Sequence, residues 1–241
     1  MDEFAALLRS GMALDDFSAF RAIHIDESIR CEHHYLAWDD ICFCLGEYEP
    51  HGVVNAASVN SLIWDLKKPV SKRGTSEYVY KARAIAEVAA KLQDLFFEGN
   101  RAGFTIIPIP PSKAKTDPLY DDRLIRVLRV PGLAMDVRDA LFVRQTMRAY
   151  HEYPTGQKRP SPDELYPLLA VDESALRVPP QKNIVLFDDL LTTGSHFKAC
   201  QRLLQERFPE CTVSGLFIGR AKHTNDFDEC DWSWFPPDLA P

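Results

Sequence analysis

A chain of 241 residues with 46% apolar content can bury one sizeable core, with room for a subdomain. A net charge of −7 and a pI of about 5.5 exclude the basic footprint that nucleic acid or an anionic membrane surface selects, so direct nucleic-acid contact is not expected. No apolar run approaches the roughly 18 residues of a membrane span, no secretory apolar core is seen, and six cysteines without paired spacing fit reduced thiols; the chain reads as cytoplasmic.

In chain order, residues 2–9 suit one or two helical turns with Phe4, Leu7 and Leu8 on one side, and 1–40 are expected to form an N-terminal extension. Residues 24–44 hold His24, Cys31, His33, His34, Cys42 and Cys44. Mixed Cys/His groups can bind zinc, but C-x-C and C-E-H-H are not the usual paired ligands, so buried thiols are expected instead of a zinc site at Cys31, Cys42 and Cys44. A strand is predicted over 41–48. A helix over 58–67 carries Val59, Leu62, Ile63 and Leu66 on one stripe and ends at Lys67-Lys68-Pro69. Thr75-Ser76 is expected to cap a long helix over 77–97 that Gly99 terminates.

A buried strand over 104–109 runs into Pro110-Pro111-Ser112-Lys113-Ala114-Lys115. Asp117-Pro118 reads as the start of a helix over 119–129, with Arg123, Arg126 and Arg129 on a solvated face and Arg123 near the preceding loop. A short strand over 139–143 follows, then a basic stretch, 144–160, with Pro154 and Gly156 and no clean period, expected to be a mobile loop. Ser161-Pro162-Asp163-Glu164 is a capping box for a short helix toward Ala170. A strand over 212–219 leads to Arg220, Lys222 and His223, and the acidic tail 226–241 carries Trp232, Trp234 and Phe235.

The most informative stretch is 183–200, NIVLFDDLLTTGSHFKAC. Ile184, Val185, Leu186 and Phe187 read as a strand buried on both faces, a helix follows over 196–208, and the next strand completes a βαβ unit; the chain is therefore α/β, with a mostly parallel sheet flanked by helices. Between strand and helix lie Asp188, Asp189 and the turn Thr192-Thr193-Gly194-Ser195. The N–H groups and dipole at a helix amino end attract a phosphate, glycine lets the backbone approach, and hydroxyls complete the cradle. Paired carboxylates beside it suit the vicinal hydroxyls of a ribose, directly or through magnesium. An Asp-Asp pair after a strand also occurs in response-regulator and dehalogenase-like sheets, although the latter need an acid where this chain has Leu190.

The string VLFDDLLTTGSH resembles the phosphoribosyl-pyrophosphate (PRPP) signature of type I phosphoribosyltransferases. The resemblance implies that Asp188 and Asp189 hold the ribose 2′- and 3′-hydroxyls and magnesium, and that Thr192, Thr193, Gly194, Ser195 and His196 wrap the 5′-phosphate. His196 stands where the family has Thr or Ser, and Thr192 replaces the acid with which purine-salvage members contact the base. The order of elements over roughly 40–220 is similar to the ComF-like branch, whose paired cysteines this chain lacks. By the same resemblance Ser112, Lys113 and Lys115 bind the leaving pyrophosphate. The 144–160 stretch (Arg144, Arg148, His151, Lys158, Arg159) closes over PRPP, residues 41–225 form the transferase-like domain, and a hood from the N-terminal residues or the tail sets base specificity. The expected activity is phosphoribosyl transfer to a nitrogen nucleophile. The competing expectation is a non-catalytic module that senses PRPP or a nucleotide 5′-phosphate for a protein partner; a partner-dependent enzyme and a homodimer both fit.

Overall fold

Along 183–191 the side chains alternate between two apolar environments, and that alternation builds the core. The computed structural model describes residues 22–49, 58–96, 101–131, 135–147 and 160–222. Its strands and helices are, in order, β1 (Ile23–His24), α1 (Glu27–Arg30), β2 (Cys42–Cys44), β3 (Glu47–Tyr48), α2 (Val59–Leu66), α3 (Tyr78–Leu95), β4 (Phe104–Pro108), α4 (Arg123–Leu128), β5 (Asp136–Val137), β6 (Leu141–Val143), α5 (Pro162–Leu165), β7 (Leu169–Val171), β8 (Asn183–Leu191), α6 (Ser195–Arg207) and β9 (Thr212–Ala221). A seven-stranded sheet has the order β1-β2-β9-β8-β4-β5, with β3 also beside β9. Every pairing in it is parallel except β1 with β2.

Val185 and Phe187 face one layer, where Leu62, Ile63 and Leu66 of α2, Val88 and Leu92 of α3 and Val127 of α4 pack. Ile184 and Leu186 face the other, where Phe197 and Leu204 of α6, Leu141 and Leu169 of the β6–β7 hairpin, and Leu36 meet them. A β strand with a helical layer on each face is the three-layer α/β arrangement expected from the βαβ pattern. Burial on both sides explains why the centre of β8 contains no polar side chain until Asp188.

Several elements differ from the sequence expectation for local reasons. The strand predicted over 41–48 bends at Leu45 and Gly46 and becomes β2 and β3. A Cβ at Gly46 would lie 2.5 Å from Val59 Cγ2, so a side chain there would block the approach of α2. The helix expected from 119 starts only at Arg123, because Asp117 closes its own turn: it accepts from Leu119 N–H at 2.8 Å and from Thr146 Oγ1 at 2.6 Å. The Ser161 capping box forms as expected, but the helix stops at Leu165, passes into a 3₁₀ turn containing Pro167, and leads to β7. β7 pairs antiparallel with β6 in a separate two-stranded sheet. Among the described residues no helix is long and apolar enough to cross a membrane.

Candidate functional site

β8 ends by placing two carboxylates in different surroundings. Asp189 shares the parity of Val185 and Phe187, so it turns toward the α2–α4 layer and is only 3% exposed. Its Oδ2 accepts from Arg123 Nε at 2.8 Å and Nη2 at 2.6 Å, and its Oδ1 from Lys67 Nζ at 2.9 Å. Arg123 opens α4 and Lys67 follows the last turn of α2, so two helices meet on this one side chain. The network extends through Asp121, which accepts from Arg123 at 3.1 Å and from Lys81 Nζ at 2.6 Å; Lys81 is fully buried and also donates to the Lys68 carbonyl at 2.9 Å. Burial alone would raise the Asp189 pKa, but Lys67 and Arg123 outweigh it and hold the carboxyl well below the usual range.

Asp188 is partly buried, and its Oδ1 accepts from Asp189 N–H at 2.7 Å. Burial, and then the Asp189 charge, push its pKa up to about 7, with Lys67 and Arg123 opposing. Asp188 therefore takes up and releases a proton near neutrality, whereas Asp189 stays an anion through that range. Asp188 lines a cavity of about 20 Å³ with Pro110, Tyr120, Asp121, Arg123 and Asp139, room for about one water molecule. Magnesium usually takes one or two carboxylates and completes its shell with ligand oxygens and water. Asp188 fits that role, while both oxygens of Asp189 are engaged. Among the described residues no group of three or more His, Cys, Asp or Glu side chains is arranged to hold a metal by itself.

Beyond Leu191 the chain turns through Thr192 and Thr193 into Gly194, whose φ of +82° is left-handed, and α6 begins at Ser195. A Cβ at position 194 would stand 2.9 Å from Leu36 Cδ2, so both the torsion and the neighbour demand glycine. Thr192 O accepts from His33 Nδ1 at 2.5 Å and Thr193 O from Tyr35 N–H at 2.9 Å. The Thr193 hydroxyl is buried and has no hydrogen-bond partner among the described residues. Ser195 is buried at the helix start. His196 has its pKa lowered to about 4 by burial, against the pull of Asp189, so it is neutral at physiological pH. This cradle offers amides, hydroxyls and a neutral imidazole, with no lysine or arginine in the turn 192–195.

The remaining expected site residues lie nearby or outside the described residues. Ser112 and Lys113 are half-buried, and the Ser112 carbonyl accepts from Met147 N–H at 2.7 Å. Lys115 pairs with Asp139 at 2.7 Å, and Asp139 lines the same cavity as Asp188, so the loop after β4 does reach the acids. Arg144 donates through Nε to the Leu169 carbonyl at 3.2 Å and holds the edge of the hairpin. Arg148, His151, Lys158, Arg159, His223 and the tail lie outside the described residues. Cys42 and Cys44 face the core together; burial drives the Cys42 thiol well up and pushes Cys44 to about 12. Arg220 is buried and engaged by Glu32 at 2.9 Å and Glu47 at 2.5 Å.

Sequence reasoning placed Arg123 on a solvated face, and the structure corrects this: it is partly buried against Asp189 because its helix starts one turn later than expected. Lys67, Lys81, Asp121 and His33 were not assigned to the site. The signal for Lys67 was its position just beyond an amphipathic helix. His33 belongs to the histidine–cysteine set, whose composition points only to a metal ligand. No family model, curated protein or solved structure matches this chain.

Proposed function

We propose that this chain has the type I phosphoribosyltransferase fold, nearest the ComF-like branch, and binds PRPP with magnesium to transfer the phosphoribosyl group to a nitrogen nucleophile. One observation carries the reading: a single strand presents a partly buried aspartate and then turns, through a left-handed glycine, into the amino end of a 13-residue helix. Thr192, Thr193, Gly194 and Ser195 take the 5′-phosphate, with the Thr193 hydroxyl as a donor. Asp188 takes the ribose diol, directly or through magnesium. Asp189 acts on the ligand indirectly, by fixing Lys67 and Arg123 beneath it. In the transfer the nitrogen forms a bond to C1′ as the C1′–O bond breaks, and pyrophosphate leaves with the electron pair. Ser112, Lys113 and Lys115, on the loop after β4, would donate to that leaving group. Bound magnesium would neutralise charge on the diphosphate.

Lys115 favours a second reading. Its ammonium is already paired with Asp139 and so is not free to neutralise a leaving pyrophosphate, which suits a sensor that binds PRPP without turning it over. Calorimetric titration of magnesium–PRPP, followed by a pyrophosphate-release assay over a panel of nitrogen bases, tests both. Binding with release in the presence of one acceptor is expected of the transferase, and binding without release is expected of the sensor. An absence of binding by the intact protein would reject both.

A further inference from the structure

We propose that His33 is a positioning residue for the phosphate turn: the segment 33–36 aims the amides of Thr193 and Gly194 at the ligand. The inference rests on the phosphoribosyl reading above and adds a device supplied from the far end of the sequence. His33 is fully buried, and its Nδ1 lies 2.5 Å from Thr192 O, 159 residues away. A carbonyl oxygen can only accept, so Nδ1 carries the hydrogen. Tyr35 N–H holds the next carbonyl, Thr193 O, at 2.9 Å. The described residues contain no cis peptide. In a trans peptide the C=O and the following N–H point in opposite directions. Two consecutive carbonyls drawn toward 33–35 therefore turn the Thr193 and Gly194 N–H groups away from it, side by side, in the nest-like arrangement that binds anions.

Packing keeps the segment in place. Leu36 fills the space where a Cβ at 194 would sit. Asp40 ties the far end to α6 by accepting from Lys198 Nζ at 2.8 Å and Gln201 Nε2 at 2.9 Å. Without the His33 N–H, the 192–193 peptide loses the bond that sets its direction. The amides would then have to be ordered by the ligand, at a cost in affinity.

The test compares two variants of nearly equal shape in the full chain: His33→Asn, which keeps an N–H donor at the Nδ1 position, and His33→Leu, which does not. The probe is ribose 5-phosphate, followed by calorimetry. His33→Leu is expected to bind about tenfold more weakly than wild type, the scale of one lost hydrogen bond serving an anion site. His33→Asn should stay within about threefold. Equal weakening of the two variants would show a packing role alone, and unchanged binding in both would show no role; either result overturns the proposal. An amide NMR titration of the wild-type protein provides a second measurement should His33→Leu fail to fold. The Thr193 and Gly194 N–H resonances should shift saturably with ribose 5-phosphate, and their remaining still while others move would overturn the proposal. A wild type that binds no ribose 5-phosphate would instead sink the phosphoribosyl reading, and this inference with it.

Discussion

The two sides of the end of β8 are built from different physics. On the acid side Lys67, Lys81, Asp121, Arg123 and Asp189, drawn from three helices or their flanks and one strand, pair with one another at the carboxyl end of β8. On the turn side the partners are two carbonyls, one imidazole, one amide and a leucine. A buried charge needs its partner at close range or its desolvation goes uncompensated, whereas a turn needs only its torsions and its carbonyls satisfied. The acid side is therefore where a single substitution breaks most, and the turn side is where one redirects most.

The largest expected effect follows from removing the shared anion. Asp189→Asn leaves the partly buried Arg123 with Asp121 as its ion-pair partner among the described residues, and losing one partner of a buried pair costs roughly 3–5 kcal/mol. Urea unfolding monitored by circular dichroism should show that loss as a fall in midpoint with no change in slope. Asp188→Asn, one residue away, should leave stability near wild type or raise it. Equal losses from the two substitutions would erase the distinction drawn between the acids.

A middle-sized effect tests the turn side. Gly194→Ala forces an L residue to φ +82° and sets its Cβ against Leu36, for a combined cost of about 2 kcal/mol. On a Leu36→Ala background the clash disappears while the torsional strain remains, so part of the cost should be recovered in a double-mutant cycle. Full additivity would show that Leu36 is not the neighbour that matters.

The same contrast explains what was legible in the sequence. β8, the turn and α6 are contiguous, and their alternation, glycine and helix start are local properties, so strand, turn and helix were all readable, although β8 runs on through both aspartates to Leu191 instead of ending at Phe187. The mostly parallel sheet followed from the same βαβ logic. The acid-side network was not readable, because nothing local to Lys67, Lys81 or Arg123 says which carboxylate each will meet across 40 to 120 residues of chain. Arg123 was misplaced for a further reason: Asp117 has the residue type of a helix cap, but Thr146, from a separate segment, competes for its carboxylate. His33 shows the same limit on the turn side, since its partner is a backbone carbonyl 159 residues away, and a carbonyl leaves no mark in composition.

The smallest expected effect sets the two acids against each other by pH. Burial and the Asp189 charge raise Asp188 to about 7, above the value near 4 of an unfolded aspartate. Its contribution to stability is therefore complete below about pH 4 and is lost as pH rises through about 7, by roughly 1 kcal/mol between about pH 6 and pH 8. Asp189 has the opposite sign: held well below its ordinary value by Lys67 and Arg123, it contributes above about pH 4 and loses that contribution as pH falls. Wild-type stability should thus pass through a maximum between the two, and the alkaline decline should be absent from Asp188→Asn while the acid limb remains. Ionisation of Asp188 is also what a magnesium ion requires, so magnesium should lower the apparent pKa of the alkaline limb in wild type and leave Asp188→Asn unmoved. An alkaline decline that persists in Asp188→Asn would place the titrating proton elsewhere and remove the electrostatic basis for separating the two carboxylates.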